Sequence, residues 1–172
     1  MTFKRESLTR GTLNIGTREL IKQEAIASGF YSGRKPEDLE DIELLRYVSS
    51  AGRQEWFDFL MASCDFLTKN GKIKKELKGT FNESARFAVS HDHVDIARKL
   101  FSLGAKENWH LNDSLYLSIM RGQHDMAVLL FKNGAMIREK YRLAQCMSVA
   151  DDKMRKIIEN GLIDTIRSRF RG

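Results

Sequence analysis

Proline is almost missing from this chain: Pro36 is the one proline in 172 residues. An interior proline removes a backbone hydrogen bond and clashes with the preceding turn, so its scarcity leaves helices uninterrupted. Cysteine is scarce too. Cys64 and Cys146 both fall inside apolar patterns at helical spacing, which reads as core thiols in a reducing compartment and excludes a disulfide framework. No apolar run approaches the roughly 20 residues that cross a bilayer, so no membrane partner is expected. Residues 1–6 are basic but lack a following apolar stretch, which argues against a secretory signal and makes the cytoplasm the expected location.

The groups that carry catalysis are thin as well. No glycine elbow surrounds a serine, and neither cysteine has a histidine near it in sequence. His91-Asp92-His93 with Asp95 lacks a third ligand at metal-site spacing. Residues 11–17 superficially match a phosphate-binding loop but lack its lysine and any preceding strand. No enzymatic activity, metal or cofactor is therefore expected.

What remains is a chain of one-domain length. It is 42% hydrophobic and 30% charged, enough for a core with a polar surface. The net charge of +6 is unevenly spread: residues 1–35 carry +4, residues 36–65 carry −6, residues 66–81 carry +4, residues 82–137 balance, and residues 138–172 carry +4. Such a basic balance admits contact with nucleic acid, while the acidic block interrupts any single basic face.

Residues 115–137 set the pattern for the rest. Leu115 and Ile119 recur at helical spacing, then Gly122-Gln123-His124 breaks the run. Met126, Ala127, Leu129, Leu130 and Phe131 make a second apolar helix, closed by Asn133-Gly134-Ala135. Two short helices joined by one glycine and ended by another form a unit that buries only one face and needs neighbours. Thirty residues upstream a neighbour aligns without a gap. Ala85 stands for Leu115, Asp95 for Asp125, Ala97 for Ala127, Leu100 for Leu130, Phe101 for Phe131, and Gly104-Ala105 for Gly134-Ala135. The runs ending at Gly71 and Gly161 echo the run ending at Gly134. Self-similarity at a fixed period is the signature of a solenoid.

On the paired short helices, the small Ala97 and Ala127, the leucines ending each second helix and the Gly-Ala after them, the chain resembles the ankyrin repeat family over about residues 41–161. His93 stands at that family's turn-histidine position, which implies a loop-ordering role. The family's Thr-Pro-Leu-His is replaced by Glu83-Ser84-Ala85-Arg86 and by Asp113-Ser114-Leu115-Tyr116, and the period is shorter than the usual 33 or so. The resemblance implies an all-α, ankyrin-like helical-repeat solenoid with N- and C-terminal capping helices. It also implies a concave binding face built from the first helices and the connecting fingers, and a protein as partner. A chain of this kind would act by occupying, sequestering or scaffolding that partner. Compact proteins of this sort occur in viruses and in bacteria that target host factors, and the same role is expected here.

Residues 1–35 read as a basic arm, loose over 1–16, followed by a capping helix over 17–28. Residues 36–172 read as the repeat domain. Its units lie at about 39–71, 82–104, 112–134 and 139–161, with a short basic helix over 162–170. Pro36 is expected to start a helix whose early Glu37, Asp38, Glu40 and Asp41 complement its dipole. Trp56, Phe57, Leu60, Met61, Cys64 and Leu67 predict a helix over 55–69, about two turns longer than its counterparts. The finger after Gly71 is full length and lysine-rich, and those after Gly104 and Gly134 are shorter.

The resemblance places Arg86, Ser90, Tyr116, Met120 and Arg121 at solvent-facing first-helix positions, with Trp109 in a finger. Exposed aromatic, methionine and arginine side chains are the types that anchor interfaces. Tyr116 and Met120 lie one turn apart and are expected to point the same way, with Arg86 beside Tyr116 across the unit boundary. The other reading of Tyr116 and Met120 is packing against neighbouring units. The alternative partner is nucleic acid, held by Lys72, Lys74, Lys75 and Lys78 and by Arg167, Arg169 and Arg171.

Overall fold

The computed structural model describes residues 10–105 and 111–169. Among them the chain is all-α, with no strand and one isolated antiparallel bridge between Leu67 and Ile73. The helices are α1 (Arg10–Ala27), α2 (Asp41–Ala51), α3 (Gln54–Ser63), α4 (Lys78–Ser90), α5 (Val94–Ser102), α6 (Leu111–Met120), α7 (His124–Lys132), α8 (Lys140–Val149) and α9 (Asp152–Arg169). None is long and apolar enough to cross a membrane among the described residues.

The helices come in pairs because one turn geometry recurs. Gly52, Asp92 and Gly122 each occupy the left-handed region, at φ 68°, 62° and 69°. After each, the next amide reaches back to a carbonyl in the last turn of the preceding helix. The Arg53 amide donates to Val48 at 3.1 Å, His93 to Ala88 at 2.8 Å and Gln123 to Ser118 at 2.9 Å. This pattern caps a helix and reverses the chain. The ends of α5 and α7 use the same device: the Ala105 and Ala135 amides donate to Leu100 and Leu130, each at 3.0 Å, past left-handed Gly104 and Gly134.

The pairs then stack in two rows. In one row α3 contacts α5, α5 contacts α7 and α7 contacts α9; in the other α2 contacts α4 and α6 contacts α8. Helix α1 packs on α2 and α3. The apolar stripe of each helix lies between the rows, where Leu44, Leu45, Leu60, Phe81, Leu100, Leu115, Ile119 and Leu130 are out of water. Burial of this kind stabilises by about 1.5–3 kcal/mol for each large side chain.

Four expectations from the sequence are corrected. Helix α1 begins at Arg10, so residues 10–16 are helical. Pro36 opens only a short 3-10 turn (Pro36–Asp38), and α2 starts at Asp41. The helix expected over 55–69 stops at Ser63. Phe66 and Ile73 are instead buried at the base of a hairpin, with the Phe66 ring edge-on to Phe81 at 5.8 Å. The Asn70-Gly71 pair turns that hairpin, with the Thr68 amide donating to the Lys72 carbonyl at 2.7 Å. Finally, Gly161 does not end a helix. Helix α9 runs through it to Arg169, so no separate short helix follows.

Candidate functional site

The outer side of α4, α6 and α8 gathers most of the residues singled out by the sequence. Its register is fixed by polar contacts. The Tyr116 hydroxyl donates to Gln145 Oε1 at 3.2 Å, and Arg142 pairs with Asp113. Both links run from a residue to the one 29 positions on, so Met120 on α6 stands level with Val149 on α8. On the other side, Arg121 Nη1 donates to the Ser90 carbonyl at 3.2 Å, tying the end of α6 to the end of α4. Ser90, Met120 and Val149 therefore lie at the C-terminal ends of three successive first helices.

This strip is apolar and accessible. Leu117 is 46% exposed, Met120 38% and Val149 53%. Tyr141, at the start of α8, is also exposed. Leu117 and Val149 were not singled out from the sequence. Leu117 sits three residues before Met120, and that spacing was the available signal.

Tyr116 is less free than expected. It is half-buried against the core, and the Arg142 guanidinium lies 5.3 Å from its ring centroid. Its attachments are thus to α8. Arg86 is exposed, with its guanidinium 5.3 Å from the Phe87 ring centroid and 3.9 Å from Glu83. Trp109 lies outside the described residues.

Two hollows open on this face. One, of about 260 Å³, lies between the ends of α4 and α6 and is lined by Ser90, His91, Ser114, Leu117 and Arg121 among others. The other, of about 300 Å³, lies between α6 and α8 beside Tyr116, Asp113, Glu139 and Arg142. The Asp113 carboxylate holds the Arg142 guanidinium above its ordinary pKa. This pair links α6 to α8 at the edge of the hollow.

A larger groove, of about 520 Å³, runs between α7 and α9 on the opposite row. Val128, Phe131, Met136 and Ile157 make its apolar surface, with Lys132, Asn160 and Asp164 among its lining. This groove is not legible in the sequence, where Gly161 reads as a helix end.

The lysine-rich finger is the hairpin that follows α3. Lys72, Lys75 and Lys78 are exposed, whereas Lys74 is ion-paired with Asp65 and largely covered. Arg167 is exposed near the end of α9, Arg169 closes that helix, and Arg171 lies outside the described residues. The finger follows α3 and Arg167 lies on α9, the opposite ends of the α3–α5–α7–α9 row.

His91 and His93 serve the backbone. His93 Nε2 lies 2.9 Å from the Ser50 carbonyl oxygen and His91 Nδ1 lies 2.9 Å from that of Phe87. Among the described residues no three His, Cys, Asp or Glu side chains gather as a metal site. Burial raises the pKa of both Cys64 and Cys146, which favours the neutral thiol. Comparison with protein-family models, with curated proteins and with solved structures finds no match to this chain.

Proposed function

We propose that the chain is a non-catalytic protein-binding module of the ankyrin-like solenoid type, and that it engages its partner through the outer side of α4, α6 and α8. The observation that carries this reading is the strip of Leu117, Met120 and Val149. Single exposed apolar residues are ordinary on a protein surface. Leu117 and Met120 one turn apart on α6, with Val149 level with Met120 on α8 and arginine and tyrosine nearby, have the composition of an interface core. The chain would act by occupying or scaffolding its partner in the cytoplasm, in the manner of a viral or bacterial factor directed at a host protein. The test is capture from native lysate by immobilised chain, wild-type against Met120→Asp, with mass spectrometry of the bound proteins. A protein retained by wild-type and lost with a folded Met120→Asp variant supports the reading. Identical capture by both variants overturns it.

A second reading, nucleic-acid binding, has one observation in its favour. The hairpin projects Lys72, and Lys75 and Lys78 follow it, all exposed. The Asp65 partner of Lys74 and the acidic block of residues 36–65 work against it.

A further inference from the structure

We propose that the hollow between the ends of α4 and α6 receives a carboxylate side chain of the partner, an aspartate or glutamate standing next to an aliphatic residue. This rests on the protein-binding reading above and names the chemistry of its contact.

The hollow, at about 260 Å³, is smaller than the roughly 300–1,000 Å³ of sites that hold drug-sized ligands. It suits a side chain better than a cofactor. Arg121, His91, Ser90, Ser114 and Gln123 bring donors to it, and neither aspartate nor glutamate lines it. The acids of α4 and α6 are already committed elsewhere. Glu83 pairs with Arg46 at 2.7 Å, and Asp113 pairs with Arg142.

Helix C-termini present carbonyls, and their partial negative charge would repel an anion. Arg121 meets that charge at its source, because one of its N–H groups is bonded to the Ser90 carbonyl at 3.2 Å. A guanidinium carries five N–H donors in a rigid fork. Pinned through Nη1, Arg121 keeps its remaining donors for a ligand, and no carboxylate pairs with it among the described residues. The same pin holds the side chain in place before a ligand arrives, which lowers the ordering cost of binding. Leu117 lines the hollow, and Met120 is the residue before Arg121. Both are exposed and offer contact to an aliphatic neighbour of the bound acid.

The test is an NMR titration of the full chain with three probes: acetyl-Leu-Glu-amide, acetyl-Leu-Gln-amide and inorganic phosphate. The glutamate dipeptide is expected to shift the Arg121 Hε resonance and the amides of Ser90, Ser114 and Gln123 saturably. It should bind at least about tenfold more tightly than the glutamine dipeptide, as expected for a charge-assisted hydrogen bond. Arg121→Gln should remove that preference with the rest of the amide spectrum unchanged, and Arg121→Lys should restore part of it. Equal binding of the two dipeptides, shifts confined to another surface, or no shift would each overturn the assignment. Phosphate binding more tightly than the glutamate dipeptide would also overturn it, in favour of a phosphoryl ligand. Failure here with Met120→Asp still abolishing partner capture leaves the protein-binding reading standing. Success here with capture indifferent to Met120→Asp removes that reading instead.

Discussion

His93 lies directly beneath Gly52. A β-carbon built on Gly52 would stand 2.4 Å from His93 Cε1, and the same ring places Nε2 at 2.9 Å from the Ser50 carbonyl oxygen. The turn of one helix pair is thus seated on the turn of the pair before it.

This relationship predicts unequal costs at two similar glycines. Gly52 and Gly122 share the left-handed conformation, but nothing lies within 4 Å of a β-carbon built on Gly122. Gly122→Ala should cost only the conformational penalty of about 1–2 kcal/mol. Gly52→Ala adds a clash with His93, worth about 1–3 kcal/mol more. Urea unfolding of both variants measures the difference. Equal losses would mean that His93 is not held against the turn.

A second prediction concerns Gly161, which lies within α9 with the Phe131 ring 2.4 Å from where its β-carbon would be. Alanine in a helix interior is favoured over glycine by about 1 kcal/mol. In the wild-type background the clash with Phe131 should offset or outweigh that gain. In a Phe131→Ala background the same Gly161→Ala change should stabilise by about 1 kcal/mol. Thermal unfolding of the four proteins reads the change of sign, and its absence would argue against a continuous α9.

The third prediction is a pH dependence. Asp151 accepts from the Met154 amide at 2.7 Å and sits 3.0 Å from His124 Nε2. The His124 hydrogen bond, then the Met154 amide, lower its pKa from the ordinary 3.8. A carboxyl group with a depressed folded-state pKa stabilises the protein above the ordinary value, and that stabilisation is lost as pH falls through the depressed one. Asp151→Asn should therefore lower Tm at neutral pH, and the gap from wild-type should close below about pH 3.8. A gap that persists unchanged in acid would contradict the assignment.

The fourth prediction separates the two partner classes. If Lys72, Lys75 and Lys78 grip phosphates, a DNA duplex should bind and weaken steeply with salt, because each contact releases counterions. We expect no mobility shift with micromolar duplex at low salt. A shift that is lost on Lys72→Glu with Lys75→Glu would favour the nucleic-acid reading.

The helix pairs were legible because local chemistry sets them. The left-handed turns after α2, α4 and α6 and the Gly-Ala after α5 and α7 are written in adjacent residues. The finger was not legible in the same way. Cys64 and Leu67 continue a helical spacing from Leu60, yet Phe66 and Ile73 are buried together and Asn70-Gly71 makes a hairpin turn. A near-identical Asn-Gly at Gly161 lies inside a helix, because Phe131 from α7 packs onto it. With Asn133-Gly134, which ends α7, the same dipeptide has three outcomes, which the dipeptide alone does not decide. At the candidate face, the outward positions of Met120 and Arg121 followed from the resemblance to the ankyrin repeat. The hold of Gln145 and Arg142 on Tyr116 depends on side chains 29 and 26 residues away, which no local pattern reveals.

The claim that α4, α6 and α8 form a protein-binding face is tested most directly by the affinity of a captured partner for three variants. Calorimetric titration should show Met120→Asp and Val149→Asp each weakening binding by roughly 1–3 kcal/mol, tenfold or more, with Tm close to that of wild-type. Glu159→Lys, exposed on α9 in the other row, should bind as wild-type does. Undiminished binding by both Met120→Asp and Val149→Asp, with loss in Glu159→Lys, would contradict the account and move the interface to the row of α7 and α9.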